Sequence, residues 1–548
     1  MNRFLKHFAL IAVAIIAVVA CSKEQKREPI TSDFAIYLNG YQLVEKSGIM
    51  EQFTESNRLM AASMAASEFG SGEISEFVKS VVMDTDRSGF SLTKPAYALI
   101  NYNEIDKSAD LTAVIEVHNA DDVDKSIEAY SSFLESNGGN PLTTYREGKT
   151  RYVDLNEDGV LIGYNETRLV ACTTKGDIKT FVSDALNAPL ADLSIFEGRD
   201  LALYCNNHRL FSILEQQYAE ELAELPYCNA VTEAKIQNFK ELRATLEEHS
   251  SSVMGLAFEN GKVVLDVKCD GIKSEQNAWV KVANGTNLGY LPENTLALLN
   301  VSFEGERLME FVNNNLSTDL AATLGVDSNE FNTGLAVATD AVSSIDGDLT
   351  VALNKLSGVV YYGYPEVTNT EAIALADVKD RYIIDNLTMF AGAFLTHTAD
   401  GNYTFPLSRT MRINLGQPDN KFFAGINTTL KEYEKSATKA RWAEVVKDSY
   451  GACLLADVKE LLKVDIINEI YTFSLKDMDH PTDTITEEIV ALADYIYLRG
   501  TSTSSGEFVL TLKNKNTNAL RQISDIVSPY AMLYVASIIE SSIDSENY

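Results

Sequence analysis

The sequence predicts an α+β fold of two tandem related domains, each a mostly antiparallel sheet with helices packed on one face. Three observations carry this. Short runs with period-2 apolar alternation pass directly into stretches with i, i+3, i+4 spacing, at Phe34–Leu38, Leu201–Tyr204, Leu296–Leu299 and Ala452–Leu455. Tight turn sequences such as Glu259-Asn260-Gly261 join neighbouring strand-like runs, which favours hairpins over parallel crossovers. The succession of elements in the first half is also collinear with that in the second.

The chain opens with Arg3 and Lys6 ahead of an apolar run from Phe8 to Ala20. As a helix this run would be roughly 20 Å long, too short for a hydrocarbon core of about 30 Å. It reads as the apolar region of a secretory signal. The small residues leading into Cys21 make it similar to a bacterial lipoprotein signal, in which the cysteine is lipidated and becomes the mature N-terminus. Residues 1–20 are then a signal peptide, Cys21 carries lipid such as palmitate, and residues 21–32 form a charged, flexible tether. No Asp follows Cys21, which points to the outer membrane rather than inner-membrane retention. The expected location is the cell envelope, with the body periplasmic or surface-exposed and the lipid anchor as its membrane contact.

The first domain is expected over residues 33–280. It starts with the strand at Phe34–Leu38 and a helical region to about Ser67. Lys149–Leu155, Val160–Tyr164 and Arg168–Thr174 follow as short strands. Helices are expected at Asp121–Glu135, Lys175–Asn187 and Ile236–Glu248, and a hairpin at Met254–Lys268. The second domain is expected over residues 285–548. It holds a helix at Leu430–Lys447, a hairpin at Tyr495–Lys513 and a C-terminal helical extension from Asn516. Aligning the halves pairs Ala35 with Ala297, Ala96 with Leu349, Leu169 with Phe422 and Leu201 with Gly451. Drift between these pairs is what changes in loop length produce, so we read a tandem duplication with a boundary near 275–290.

Composition fits a folded body: 45% of residues are hydrophobic and 23% charged, with a net charge of −32. Losing the basic signal segment makes the body more acidic still. Such a surface repels nucleic acid, so no nucleic-acid partner is expected. Besides Cys21 the cysteines are Cys172, Cys205, Cys228, Cys269 and Cys453. This odd set reads as buried thiols, with Cys205–Cys228 as the one bridge worth checking.

The chain resembles, over most of its length, an uncharacterised family of Bacteroidota envelope lipoproteins with a domain of unknown function. The resemblance rests on Cys21, on Phe34-Ala35-Ile36-Tyr37-Leu38 running into Leu43-Val44-Glu45-Lys46-Ser47-Gly48, and on Gly89-Phe90-Ser91-Leu92-Thr93-Lys94-Pro95. It implies an envelope location and supplies no activity or catalytic residue.

Two loops have calcium-like spacing. Asp84, Asp86 and Ser88 are followed by Gly89, but Pro95 stands where a bidentate acid belongs. Asp154, Asn156 and Asp158 are followed by Gly159, with Asn165 at that last position. The missing ligand favours structural turns over metal sites. The histidines are scattered singly, Glu147-Gly148-Lys149-Thr150 precedes a strand rather than a helix, and no Gly-x-Ser-x-Gly elbow occurs. No cofactor is implied. Tyr361, Tyr362 and Tyr364 form an aromatic cluster that could bind sugar or peptide, or simply edge a strand. Asp483-Thr484-Ile485 resembles the Bacteroidota O-glycosylation site, with Thr484 expected in an exposed loop. The expected function is a non-catalytic outer-membrane lipoprotein with an interaction or structural role. The alternatives are a glycan- or peptide-binding surface lipoprotein, and a hydrolase whose carboxylates meet only in the fold.

Overall fold

In each half of the chain antiparallel strands pair outward on both sides of one strand that runs almost directly into a helix. The computed structural model describes residues 27–529, except 53–54, 68, 70–71, 105–106, 156–158, 225–228, 274–277, 316–338, 362–363, 400, 410, 431–441 and 477–481. It divides into two compact units: the chain up to Lys273 together with the segment from Asn516 onward, and Ser274–Lys515. Cys21 and the apolar residues after 529 lie outside the described residues.

In the first unit the strands are β1 (Phe34–Leu38), β2 (Ala96–Asn103), β3 (Ser108–Glu116), β4 (Thr143–Glu147) and β5 (Thr150–Asp154). β6 (Val160–Tyr164), β7 (Arg168–Thr173), β8 (Leu201–Asn206), β9 (Leu246–Glu259) and β10 (Lys262–Ile272) follow, and Arg27–Glu28 pairs separately with Leu190–Ala191 in parallel. The pairings among β1 to β10 are antiparallel, and the spatial order is β10-β9-β8-β1-β2-β3-β7-β6-β5-β4. The helices used below are α1 (Gly40–Ser47), α2 (Glu55–Ser67), α3 (Glu73–Met83), α4 (Ala120–Ser136), α5 (Ile178–Asn187), α6 (Asn207–Glu224) and α7 (Asn229–Ala244). α1 follows β1 with one residue between, its N-terminus capped by the Asn39 side chain and its end turned by Gly48 at φ +65°.

Around β5, β6 and β7 helices cover both faces, not the one face expected, while one face stays open across β1, β8, β9 and β10. α5, capped by Asp177, sets Val182 and Leu186 against Tyr97, Val170 and Cys172. α4, capped by Asn119, sets Val123 against Val153 and Leu169. Leu169 and Val170 are consecutive in β7 and so point to opposite faces. Tyr152 and Val153 in β5 do the same, and all four are buried. A strand buried on both sides loses the alternation that identifies a one-sided sheet.

The second unit holds β11 (Ala297–Glu304), β12 (Ile345–Tyr361), β13 (Tyr364–Val378), β14 (Thr396–His397) and β15 (Tyr403–Pro406). β16 (Arg412–Gly416), β17 (Lys421–Ile426), β18 (Ala452–Ala456), β19 (Ala493–Ser502) and β20 (Ser505–Leu512) follow. Its order is β20-β19-β18-β11-β12-β13-β17-β16-β15-β14, again antiparallel. Its helices include α8 (Gly305–Asn315), α9 (Tyr382–Ala391), α10 (Ala443–Lys447), α11 (Asp465–Lys476) and α12 (Thr482–Leu492). The residues around Phe303, Ala376, Ile384 and Phe422 form one core cluster. Leu298, Leu455 and Ile373 are buried from the opposite face.

The segment from Asn516 clusters with the first unit, not the second. Its contacts explain why: Asn518 Nδ2 donates to Phe258 O at 2.9 Å, Gly261 N donates to Thr517 O, and Arg521 pairs with Glu51 at 2.7 Å. The helix expected at Ile236–Glu248 is α7, which ends at Ala244, because the chain enters β9 at Leu246. Of the Leu430–Lys447 helix, 431–441 lies outside the described residues and Ala443–Lys447 is helical. Cys205 is a free thiol, as are Cys172, Cys269 and Cys453, and Cys228 lies outside the described residues.

Candidate functional site

A largely buried polar cluster lies in the second unit. There β11, β12, β13 and β17 turn Asn300, Ser302, Thr350, Asp377 and Lys421 to one face. Asp377 and Lys421 are direct cross-strand partners where β13 ends and β17 begins. Asn287 approaches from a 3-10 turn, Thr286–Tyr290, entered through Gly285 at φ +71°. Lys421 Nζ donates to the Asp377 carboxylate, to Asn287 Oδ1 at 2.5 Å and to Thr286 Oγ1 at 3.1 Å. Asn284 Nδ2 and the Asp348 backbone N–H each donate to Asp377 Oδ2 at 3.1 Å.

Asp348, fully buried, accepts from Ser302 Oγ at 2.6 Å and from the backbone N–H groups of Asn284 and Gly285. Thr350 donates to Asn300 Oδ1 and accepts from Asn287 Nδ2. Buried polar groups are costly unless paired, and here the partners come from within the unit. Burial pushes the Asp377 carboxyl up, but hydrogen bonds from Lys421 and Asn284 and the Lys421 charge outweigh it, leaving the group below its ordinary value.

The first unit places an acid and a base at the same sheet junction. Glu116 and Arg168 are cross-strand partners between β3 and β7, and both are buried. Glu116 pairs with Arg27 at 2.9 Å, while Arg168 donates to Ala188 O at 2.6 Å. A separate buried acid, Asp200, holds Lys46 of α1 at 2.7 Å and accepts the Phe258 N–H. Between α6 and α7 lies an open cavity of about 300 Å³ lined by Ser212, Glu215, Gln216, Ala219, Ile236 and Lys240. Glu215 pairs there with Arg243 at 3.3 Å.

The structure disperses the residues singled out in the sequence. Thr85–Ser88 is a 3-10 turn capped by Asp84, whose side chain accepts the Asp86 N–H, and Gly89 closes it at φ +83°. Ser88 Oγ accepts the Phe90 N–H. Asp154 ends β5, while Asn156 and Asp158 lie outside the described residues. Among the described residues no group of three or more His, Cys, Asp or Glu is placed to hold a metal ion. Tyr364 is 79% exposed at the start of β13. Tyr361 ends β12 and Tyr362 lies outside the described residues. Thr484 falls in α12, not in a loop. No described helix is long and apolar enough to cross a membrane.

A model of the family described as "Domain of unknown function (DUF4836)" matches residues 29–520. The chain belongs to this family. The match spans strands of both units and the Lys421–Asp377–Asn287 cluster, so the DUF4836 region includes the whole candidate site. No curated protein and no solved structure matches the chain. Sequence reading missed the cluster because Asn287, Asp377 and Lys421 share no local motif. Its one signal was a charged residue at each end of an apolar strand, at Asp377 after Ala372–Ala376 and at Lys421 before Phe422-Phe423.

Proposed function

We propose that this DUF4836 protein is a non-catalytic outer-membrane lipoprotein whose two units are related by duplication and serve an interaction or structural role in the cell envelope. The observation that carries this is the correspondence of strand order between the units, β1 to β10 against β11 to β20. Register agrees as well. Leu38 faces Ala96 and Leu201, while Val301 faces Leu349 and Ala452. Phe34 faces Ile100 and Cys205, while Ala297 faces Leu353 and Ala456. Phe34 therefore corresponds to Ala297, one residue from the pairing that apolar pattern alone suggested, and Leu201 corresponds to Ala452.

The non-catalytic part rests on how the buried acids are used. Asp200, Asp348 and Asp377 accept from donors within their own units and brace neighbouring elements. The interaction part rests on the open sheet face. Ile36, Leu203, Met254 and Val267 form one exposed cross-strand row, and Val351, Leu299, Leu454, Leu498 and Phe508 form its counterpart. A second reading, peptide binding, is favoured by Tyr364 and Val367, exposed where the β12–β13 ribbon runs past its neighbours. Peptide-array binding that survives Tyr364→Ala together with Val367→Asp would remove that reading.

The envelope assignment is tested by metabolic labelling with a fatty-acid analogue and fractionation. Wild-type protein should carry label and sediment with outer membranes. Cys21→Ala should lose both, and unchanged label or retention in that variant would contradict the proposal.

A further inference from the structure

We propose that Lys421 and Asn287 become joined by an intramolecular amide bond, with Asp377 moving the protons and ammonia leaving. The geometry holds the three required parts together. The amine of Lys421 donates to Asn287 Oδ1 at 2.5 Å, one atom from the carbon it would attack, and the same amine donates to Asp377. The direction of the Asn287 amide is set by its partners. Nδ2 donates to Asp348 O at 3.2 Å, to Thr350 Oγ1 at 3.0 Å and to Leu375 O at 3.3 Å. Thr350 is itself donating to Asn300 Oδ1, so its oxygen is free to accept. The carbonyl end of Asn287 must therefore face the amine.

Water has little access to the Asn287 amide: Asn287, Asp348 and Thr350 expose no surface, and the Lys421 and Asp377 side chains are 14% and 18% exposed. Fixed proximity of nucleophile and acyl group replaces a bimolecular encounter, and effective molarities for well-oriented pairs reach about 10⁵ M or more. The first unit supplies a contrast. Its cross-strand base is Arg168, beside Glu116, and a delocalised guanidinium that stays protonated is no nucleophile. The lysine that could react occurs at the junction that also has an amide in reach.

The step balances without any co-reactant. In the resting ion pair, Lys421 is an ammonium and Asp377 a carboxylate. One proton passes from Nζ to Asp377 within their hydrogen bond, leaving a neutral amine and a neutral acid. The Nζ lone pair then bonds to Asn287 Cγ. Asp377 gives its proton to Nδ2 and takes a second proton from Nζ. The Cγ–Nδ2 bond breaks, ammonia leaves, and Asp377 keeps the proton beside the new amide. The ion pair is the favoured ground state, so the reaction is slow, but each molecule performs it once.

Peptide mapping of the folded full-length chain tests this directly. Trypsin digestion and tandem mass spectrometry of wild-type protein should yield a branched peptide joining the segments around Asn287 and Lys421, lighter than their sum by one ammonia. Lys421→Arg keeps a cation for Asp377 and should give no branched peptide. Asn287→Asp should give a branched peptide lighter by one water instead. Asp377→Ala should leave the segments unlinked, and linkage there at wild-type yield would remove the proton-shuttle role. Recovery of the two wild-type segments only as separate peptides of full mass overturns the proposal.

Discussion

Leu454 and Leu455 stand side by side in β18 with opposite surroundings: the first is 52% exposed and the second has no exposed surface. Leu455→Ala should cost about 2–5 kcal/mol through lost burial and the cavity left behind. Leu454→Ala should stay within about 1 kcal/mol. Urea unfolding of the two variants checks the register of β18. Cys453 adds a pH signature. Burial pushes its thiol up to about 12, with smaller opposing effects from Arg499 and Glu507. A thiol raised in the folded state contributes stability that is complete below the unfolded value near 9 and is lost as pH rises through the folded one. Stability should therefore fall between about pH 9 and pH 12, and the fall should shrink in Cys453→Ala. The buried position of Cys453 was legible in its strand-like run. Asp377, Lys421 and Asn287 were not legible as a site, because only the fold brings them together.

At the scale of elements, the turn at Asp84–Gly89 shows why a calcium-like spacing occurs without the twelfth ligand. Asp84 caps a short 3-10 turn, and the glycine is demanded by packing. A Cβ at Gly89 would lie 2.4 Å from Val123 N and 2.5 Å from Asn119 O at the entry to α4, and φ there is +83°. Gly89→Ala should cost about 3 kcal/mol, seen as a lower urea midpoint with lost amide protection in α4. Strand–turn–strand segments were legible wherever one face stayed open or a turn sequence was explicit, as at Asn260-Gly261 between β9 and β10. Helices on both faces were not. β5, β6 and β7 read simply as apolar, and nothing in Tyr152-Val153 or Leu169-Val170 tells a strand covered twice from one covered once. Gly163 marked the second layer, since a Cβ there would meet Val182 Cγ1 of α5 at 2.4 Å, but a lone strand glycine has several readings.

For the molecule as a whole, the segment from Asn516 belongs with the first unit, so removing it should damage distant sequence. A chain ending at Lys515 should lose hydrogen-exchange protection around Phe258–Lys262 and Gly48–Glu51, while β17 and β18 keep theirs. Protection lost first in β17 and β18 would argue against this assignment. The larger claim is that the two units carry one strand order in one register. Only the recurrence of strand-to-helix steps was legible, not the order in which strands pair, and the register slipped by one residue, because neighbouring apolar residues such as Ala297-Leu298-Leu299 fit either phase. Burial separates the phases: β1 runs half-buried, buried, exposed, buried, half-buried from Phe34, and β11 repeats that sequence from Ala297. Cysteine scanning tests this most directly, with single cysteines placed at 34–38 and at 297–301 in a chain lacking its native ones, and thiol labelling rates measured in the folded protein. Labelling should be fast at 36 and 299, and slow at 35, 37, 298 and 300. Fast labelling at 298 and 300 with slow labelling at 299 would contradict it.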